Sequence, residues 1–468
     1  MRCNSIARLL SACSLFVATT TACVGSSIAP ITGGAHGWPF GSPSAAIDLA
    51  SYGYMEEEFS IEGTAVSYAK VGTWAIDGVW TATPSGSASF KTRLLVVRPA
   101  IPSMFNGTVV IEWLNVTSGW DIADVFAHGH EELLGGGYAW VGVSAQAVGV
   151  QLSPFSLKAW DPVRYGSLSH PGDAYAYDIL TQVAQVIRHP VGAGLLNGFA
   201  VERVIAAGHS QSANGLATYV NAIQPLTGAY DGFLLYSRQP SALPLFPGAA
   251  GAVPAGAIIR VDTVAPVISV EDEWSIAITS AWLVRQPDGP KFRIWEVAGT
   301  AHVDRDMDAF VEPIIHRDLG FPPLVCAQPM NEAPLRYLVH SAINKLNAWI
   351  AGAAVPPSAP SFIEIAGGAV VRDVYGNARG GIRLPQLEVP TATLSGVGNA
   401  GPGSCPVAGV THPFGAQTLS TLYRNHGSYV APFVHATNDL RRSDLLLEYD
   451  SNDAKTRAAE SSIGIDNY

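Results

Sequence analysis

Between residues 108 and 300 the chain alternates continuous apolar runs with amphipathic stretches. The runs "TVVIEWLN" (108–115), "YAWVGVSAQ" (138–146), "RVIAAG" (203–208), "GFLLYS" (232–237), "APVISV" (265–270) and "FRIWEVAG" (292–299) show little polar alternation. That pattern predicts strands buried on both faces. Between them lie stretches of helical character: "DVFAHGHEELLGGG", "DAYAYDILTQVAQVIRH" and "ANGLATYVNAI". The second follows Pro171-Gly172, and Asp173 is the expected N-cap. A last helix is expected in "PLRYLVHSAINKLNAWIAG". It carries Leu335, Leu338, Val339, Ile343, Leu346 and Ile350 on one stripe and stops at Gly352. Alternating strand and helix with apolar strands predicts an α/β fold, a mostly parallel sheet flanked by helices.

The flanks read differently. Residues 30–100 are rich in Gly, Ser, Thr and aromatics, with strand-like pieces "TWAIDGVWTATP" and "FKTRLLVVRP". After the α/β core of 101–352, "AAVPPSAP" resembles a linker. Residues 353–468 are expected to form a C-terminal extension packed on the core.

The N-terminus changes the expected compartment. Arg2 and Arg8 flank "LLSACSLFVATTTA", a short apolar and small-residue core, and small residues precede Cys23. Residues 1–22 therefore read as an export signal, too short for a membrane span. "TTAC" also resembles a bacterial lipoprotein box, with Thr20 where an aliphatic residue is usual. A lipid anchor at Cys23 and a plain cleaved leader both stay open. The expected location is secreted, periplasmic or bound to the cell envelope, with no transmembrane span in the mature chain.

Charge and cysteines narrow the chemistry. The formal net charge is −11 and no basic cluster occurs, which argues against nucleic acid and against an anionic membrane surface. Charged residues make up only 14 % of the chain and apolar ones 48 %, so most of it should be globular. Cys326 and Cys405 remain in the body. In an oxidising compartment they pair; otherwise they are buried thiols. No CxxC or Cys/His cluster points to a metal, and no G-x-G-x-x-G opens a helix after a strand, so no cofactor is expected.

The candidate chemistry sits in "AAGHSQSANG", where a strand pattern becomes a helix pattern. A nucleophile elbow places a serine on such a turn with its Oγ exposed and small residues two before and two after. Here these are Gly208 and Ser212 around Ser210, with Ala213 beyond; Ser212 stands where glycine is usual. His209 is expected to point away from the nucleophile and to pack. A serine nucleophile needs a base and an orienting acid, which follow later in the chain on this architecture. His302 lies in the loop after "FRIWEVAG". The acid comes from Glu271, Asp272 or Glu273, at the end of "APVISVEDE". A strand ending near Val270 would leave Glu273 in the turn beyond it, with the longer reach. Glu273 is therefore the expected acid, with Glu271 and then Asp272 as alternatives. Backbone N–H groups of Gln211 and of the loop holding Asn115 are the expected oxyanion donors. Trp113, Trp120, Trp160 and Trp274 are candidate pocket walls, at least half of them expected to be core.

The stretches "VVIEWLNVTSGWD", "GYAWVGVSAQAVGV", "HPGDAYAYDI", "AAGHSQSA", "RVDTVAPVISVEDE", "VAGTAHVD" and "GNARGGIRLPQLEVP" resemble the α/β-hydrolase domain proteins, from about residue 60 to 460. The resemblance implies an α/β-hydrolase fold with a Ser-acid-His site. It supports Ser210 and His302 in their roles, and residues 30–100 are expected to be an N-terminal β-rich part of the hydrolase domain. The family's acid turn often reads T-E-T-D; here Ser275 replaces the last carboxylate. Two function classes follow. One is an exported serine hydrolase cleaving a small-molecule carboxylic ester through an acyl-enzyme. The other is a catalytically silent hydrolase fold used for binding at the cell surface.

Overall fold

The computed structural model describes residues 26–189, 195–246 and 253–465. The expected leader and Cys23 lie outside them. The apolar runs form one nine-stranded sheet. Its strands are β1 (Ser27–Pro30), β2 (Tyr54–Val71), β3 (Thr81–Pro99), β4 (Thr108–Trp113), β5 (Ala139–Val143), β6 (Arg203–His209), β7 (Gly232–Tyr236), β8 (Val267–Asp272) and β9 (Phe292–Val297). They are ordered β1-β2-β3-β5-β4-β6-β7-β8-β9. The first three are antiparallel to their neighbours; from β5 to β9 the sheet is parallel. The N-terminal region thus extends the same sheet, through the long β2–β3 hairpin. The expected strand "TWAIDGVWTATP" is strand only from Thr81; before it Gly72 and Gly78 turn the chain and Trp74 stacks on Trp80 at 4.5 Å.

Both faces of the parallel strands are covered, which is why their sequences lack polar alternation. In β4, Val109, Ile111 and Trp113 enter one core layer and Val110 enters the other. In β6, Val204 and Ala206 face one way, Ile205 and Ala207 the other. Helices α1 (Asp124–Gly135), α2 (Ala176–Arg188) and α3 (Gln211–Thr218) follow β4, precede β6 and follow β6. Helix α4 (Glu273–Ile278) follows β8, and α5 (Arg305–Leu319) and α6 (Arg336–Ile350) come after β9. Ahead of α2, Asp173 does not cap the helix. Its carboxylate accepts the Ala147 N–H at 2.8 Å instead and ties the helix entry to the loop after β5.

The C-terminal residues supply α7 (His426–Arg442) and α8 (Glu448–Glu460). Tyr429, Phe433, Ala454 and Ala458 join the same core layer as Leu338 and Ile343 of α6. Asn425 caps α7 through a reciprocal capping box with Ser428. Cys326 and Cys405 form a disulfide.

Candidate active site

After β4 the chain goes to β5 on one side, and after the return it goes to β6 on the other. The crevice beyond the C-terminal ends of β4 and β6 is therefore a topological switch point, where open α/β sheets bind ligands. Asn115 follows β4 and Ser210 follows β6, so both fall at this crevice.

Ser210 is held in a backbone conformation that L-residues rarely adopt, with φ 57° and ψ −120°. Such a residue costs about 1–3 kcal/mol and is kept only where its surroundings over-determine it. Gly208 explains the small neighbours: a Cβ there would meet Ser212 Cβ at 3.0 Å and Leu216 at 3.1 Å. Ser212, two residues after Ser210, is fully buried against the strand, and it is the missing Cβ of Gly208 that leaves it room. Gln211 is the first residue of α3, so its N–H has no partner within the helix and faces the elbow.

Ser210 Oγ lies 2.8 Å from His302 Nε2. His302 Nδ1 lies 3.0 Å from Asp272 Oδ2. This corrects the expected acid: the carboxylate on His302 is Asp272, neither Glu273 nor Glu271. β8 runs two residues further than expected, to Asp272, which then caps α4 by accepting the Ser275 N–H at 2.6 Å. Side chains on a strand alternate, so Glu271 points to the opposite side. There it takes the Ser269 hydroxyl at 2.6 Å, and burial pushes its carboxyl well up. Glu273 opens the helix and turns away from His302. It accepts the Gly299 N–H at 2.7 Å, the Gly396 N–H at 3.1 Å and Arg372 at 2.7 Å. Burial alone would raise Asp272; the His302 ring, its hydrogen bond and the Ser275 N–H instead hold it below the usual carboxylate range.

Asn115 corrects a second expectation. Its backbone N–H is committed to Ile122 O at 3.0 Å and cannot serve an oxyanion. Its side chain remains at the crevice, with Oδ1 accepting Thr117 N–H at 2.8 Å and Nδ2 donating to His209 O at 3.3 Å. His209 does pack, but against the site itself. Its ring centroid is 4.5 Å from that of His302 and 4.5 Å from that of Tyr236, and Nδ1 is 2.9 Å from Asp124 Oδ2. Burial, then the neighbouring His302, holds the His209 ring below the usual histidine range. Tyr236 in turn meets His128 at 2.6 Å, and His128 meets Asp304 at 2.8 Å. Only the type of these residues was visible in the sequence; their meeting depends on β7, α1 and the loop after β9 coming together.

A cavity of about 380 Å³ opens over Ser210 and His302. Of the four candidate tryptophans, Trp120 and Trp274 line it. Trp274 also lies 4.7 Å from the His302 ring, centroid to centroid. Trp113 is core, packed edge-on against Tyr177, and Trp160 stacks on His36 away from the cavity. The C-terminal extension takes part through Gly403, Ser404 and Val407. Phe321, Pro322 and Leu324 also line it, with Leu324 beside Gly403, and the Cys326–Cys405 disulfide ties these two segments together.

A parallel sheet with a strained serine on a strand-to-helix turn, facing a histidine and an aspartate from later strand ends, defines an α/β-hydrolase fold. The chain belongs to the family described as "Alpha/beta hydrolase domain", whose model matches residues 27–456. No curated protein matches the sequence. Among solved structures it is similar to a putative dienelactone hydrolase from Klebsiella pneumoniae subsp. pneumoniae, at 13 % identity over 50 % of this chain and 85 % of that one, TM-score 0.27. It is also similar to fungal esterases from Rhizomucor miehei, at 13 % identity over 62 % and 85 %, TM-score 0.33. An alpha-beta serine hydrolase homologue from Coxiella burnetii matches at 12 % identity over 55 % and 97 %, TM-score 0.30. The assignment rests on the family match.

Proposed function

We propose that the protein is an exported serine hydrolase that cleaves carboxylic esters through Ser210, His302 and Asp272. The observation that carries this reading is the continuous chain of contacts from Ser210 Oγ to His302 Nε2 at 2.8 Å and from His302 Nδ1 to Asp272 at 3.0 Å. Asp272 accepts the Nδ1–H and so leaves the Nε2 lone pair facing the serine. As Ser210 Oγ bonds to the ester carbon, its proton passes to His302 Nε2. The carbon–oxygen bond to the alcohol then breaks, and the alcohol leaves with that proton. A water molecule, deprotonated by His302, attacks the acyl-serine and releases the acid and free Ser210.

The Gln211 N–H supplies one oxyanion donor. The second is Asn115 Nδ2, which carries two hydrogens and spends one on His209 O. Export is supported by the leader pattern at 1–22 and by the Cys326–Cys405 pair, since disulfides persist in oxidising compartments. The location is then outside the cytoplasm, with the mature chain either free or held by a lipid on Cys23.

The purified mature protein should hydrolyse p-nitrophenyl esters with a pre-steady-state burst of one nitrophenolate per site. Slow background hydrolysis without a burst across acyl chains of different length would contradict the reading. Mass spectrometry of the protein recovered from the producing cell should find the chain starting at Cys23. An intact Met1 end in the mature pool would contradict export.

A further inference from the structure

The cavity over Ser210 has one sign of charge. Its lining contains three carboxylates, from Asp124, Asp308 and Glu312, and no lysine or arginine. Asp124 is engaged with His209. Asp308 and Glu312 are not: neither side chain takes a hydrogen bond or ion pair among the described residues. They stand one helical turn apart on α5, so both face the cavity from the same side. Burial pushes the Asp308 carboxyl up and Glu312 adds to this, while Arg305, outside the cavity lining, opposes it. Facing the same space are Trp120, Trp274 and Phe321. Aromatic faces beside unpaired carboxylates attract a poorly hydrated organic cation and repel a carboxylate. The apolar side chains Met307, Val311 and Ile315 complete the α5 wall and suit a greasy neighbour to that cation.

The geometry points to an ester carrying an alkylammonium group as the substrate class, with the cation held between Asp308, Glu312 and the aromatic wall. This rests on the ester-hydrolase reading of Ser210. Electrostatics at such a site should favour the cation over an uncharged isostere by about tenfold. Raised salt should shrink the difference, because the cavity is open to solvent.

The test uses two butyrate esters of one shape, those of choline and of 3,3-dimethylbutanol, with the hemisuccinate of 3,3-dimethylbutanol as the anionic arm. Binding is measured on the Ser210→Ala protein by quenching of tryptophan fluorescence, which needs no turnover. The choline ester should bind about tenfold more tightly than its neutral isostere, and the hemisuccinate most weakly. In Ser210→Ala carrying Asp308→Asn and Glu312→Gln as well, the choline preference should vanish while the neutral ester binds as before. Equal or tighter binding of the neutral ester to Ser210→Ala overturns the inference, as does a preference that survives loss of both acids. Turnover by the unmodified protein separates the two readings. If the choline preference holds but no ester is cleaved, the hydrolase reading fails and the binding class stands.

Discussion

Glu273 Oε2 accepts the Gly299 N–H at 2.7 Å, while its neighbour Asp272 meets His302 Nδ1 at 3.0 Å. One carboxylate touches His302; the other holds the loop on which that histidine sits. Gly299 has φ 75° and lies three residues before His302, so the turn it makes sets where the ring stands. Glu273 also binds Arg372 and Gly396, and through them joins the C-terminal extension to the site. The two acids should therefore fail differently.

Asp272→Asn should keep the fold and lose ~10⁴-fold in kcat, as when an amide replaces the carboxylate that fixes the histidine tautomer. Glu273→Gln should cost stability, about 1–3 kcal/mol for a buried acceptor left partly unmatched. Its kcat should fall by less than about tenfold, since the His302 tautomer is untouched. Urea unfolding and steady-state kinetics on both variants check this. A dead Glu273→Gln beside an active Asp272→Asn would reverse the roles.

Asn115→Ala tests the side-chain oxyanion donor. Removing one such donor lowers kcat by about 10²–10³-fold with little change in KM. Burst and steady-state kinetics on one ester separate the two constants. An unchanged kcat would leave the second donor to another group.

Asp450 carries a pH signature of stability. Burial pushes its carboxyl up to about 8, while burial holds its partner His340 down to about 3. Asp450 Oδ1 lies 2.9 Å from His340 Nδ1, with Glu131, Arg336 and Asp453 around the pair. A raised carboxyl binds its proton better in the folded chain, so its contribution is full below the unfolded carboxylate pKa and is lost as pH rises to about 8. The depressed histidine works the other way, and only below the ordinary value of 6.5. Stability should therefore fall between about pH 6.5 and 8, and Asp450→Asn should flatten that fall. Urea titrations at several pH values read it directly. An equal slope in the variant would contradict the assignment.

The disulfide should matter to the cavity as well as to the fold. Leu324 lies two residues before Cys326, and Val407 two residues after Cys405. Replacing both cysteines by serine should cost up to ~4 kcal/mol in the chain-entropy picture of a loop this long. It should also raise KM more than it lowers kcat, because the tethered walls bind substrate and leave Ser210 and His302 in place. Thermal unfolding and kinetics check the two effects. Non-reducing peptide maps showing two free thiols in the native protein would contradict the pairing.

Much of the sheet was legible because buried parallel strands have no polar alternation to obscure them. β4, β6, β7 and β9 fall where their apolar runs stand. The acid is hidden in the sequence for a local reason. The run "VISV" stops being apolar at Val270, but β8 continues for two residues whose carboxylates are paid by internal partners. The usable signal was Asp272 itself, since aspartate caps helices far better than glutamate and "EWSIAI" reads as a helical turn after it. The Asp124–His209–Tyr236 contacts and the wall formed by 403–407 were not legible. They join residues far apart in the chain, and no short-range pattern records them.

The most direct measurement is covalent labelling of the nucleophile. A fluorophosphonate should add one phosphonyl group to the native protein, and peptide mass mapping should place it on Ser210. The label should abolish ester hydrolysis, Ser210→Ala should take up none, and its kcat should fall by at least ~10⁴-fold. A label on another residue, or a Ser210→Ala protein that hydrolyses esters at the native rate, would contradict the account.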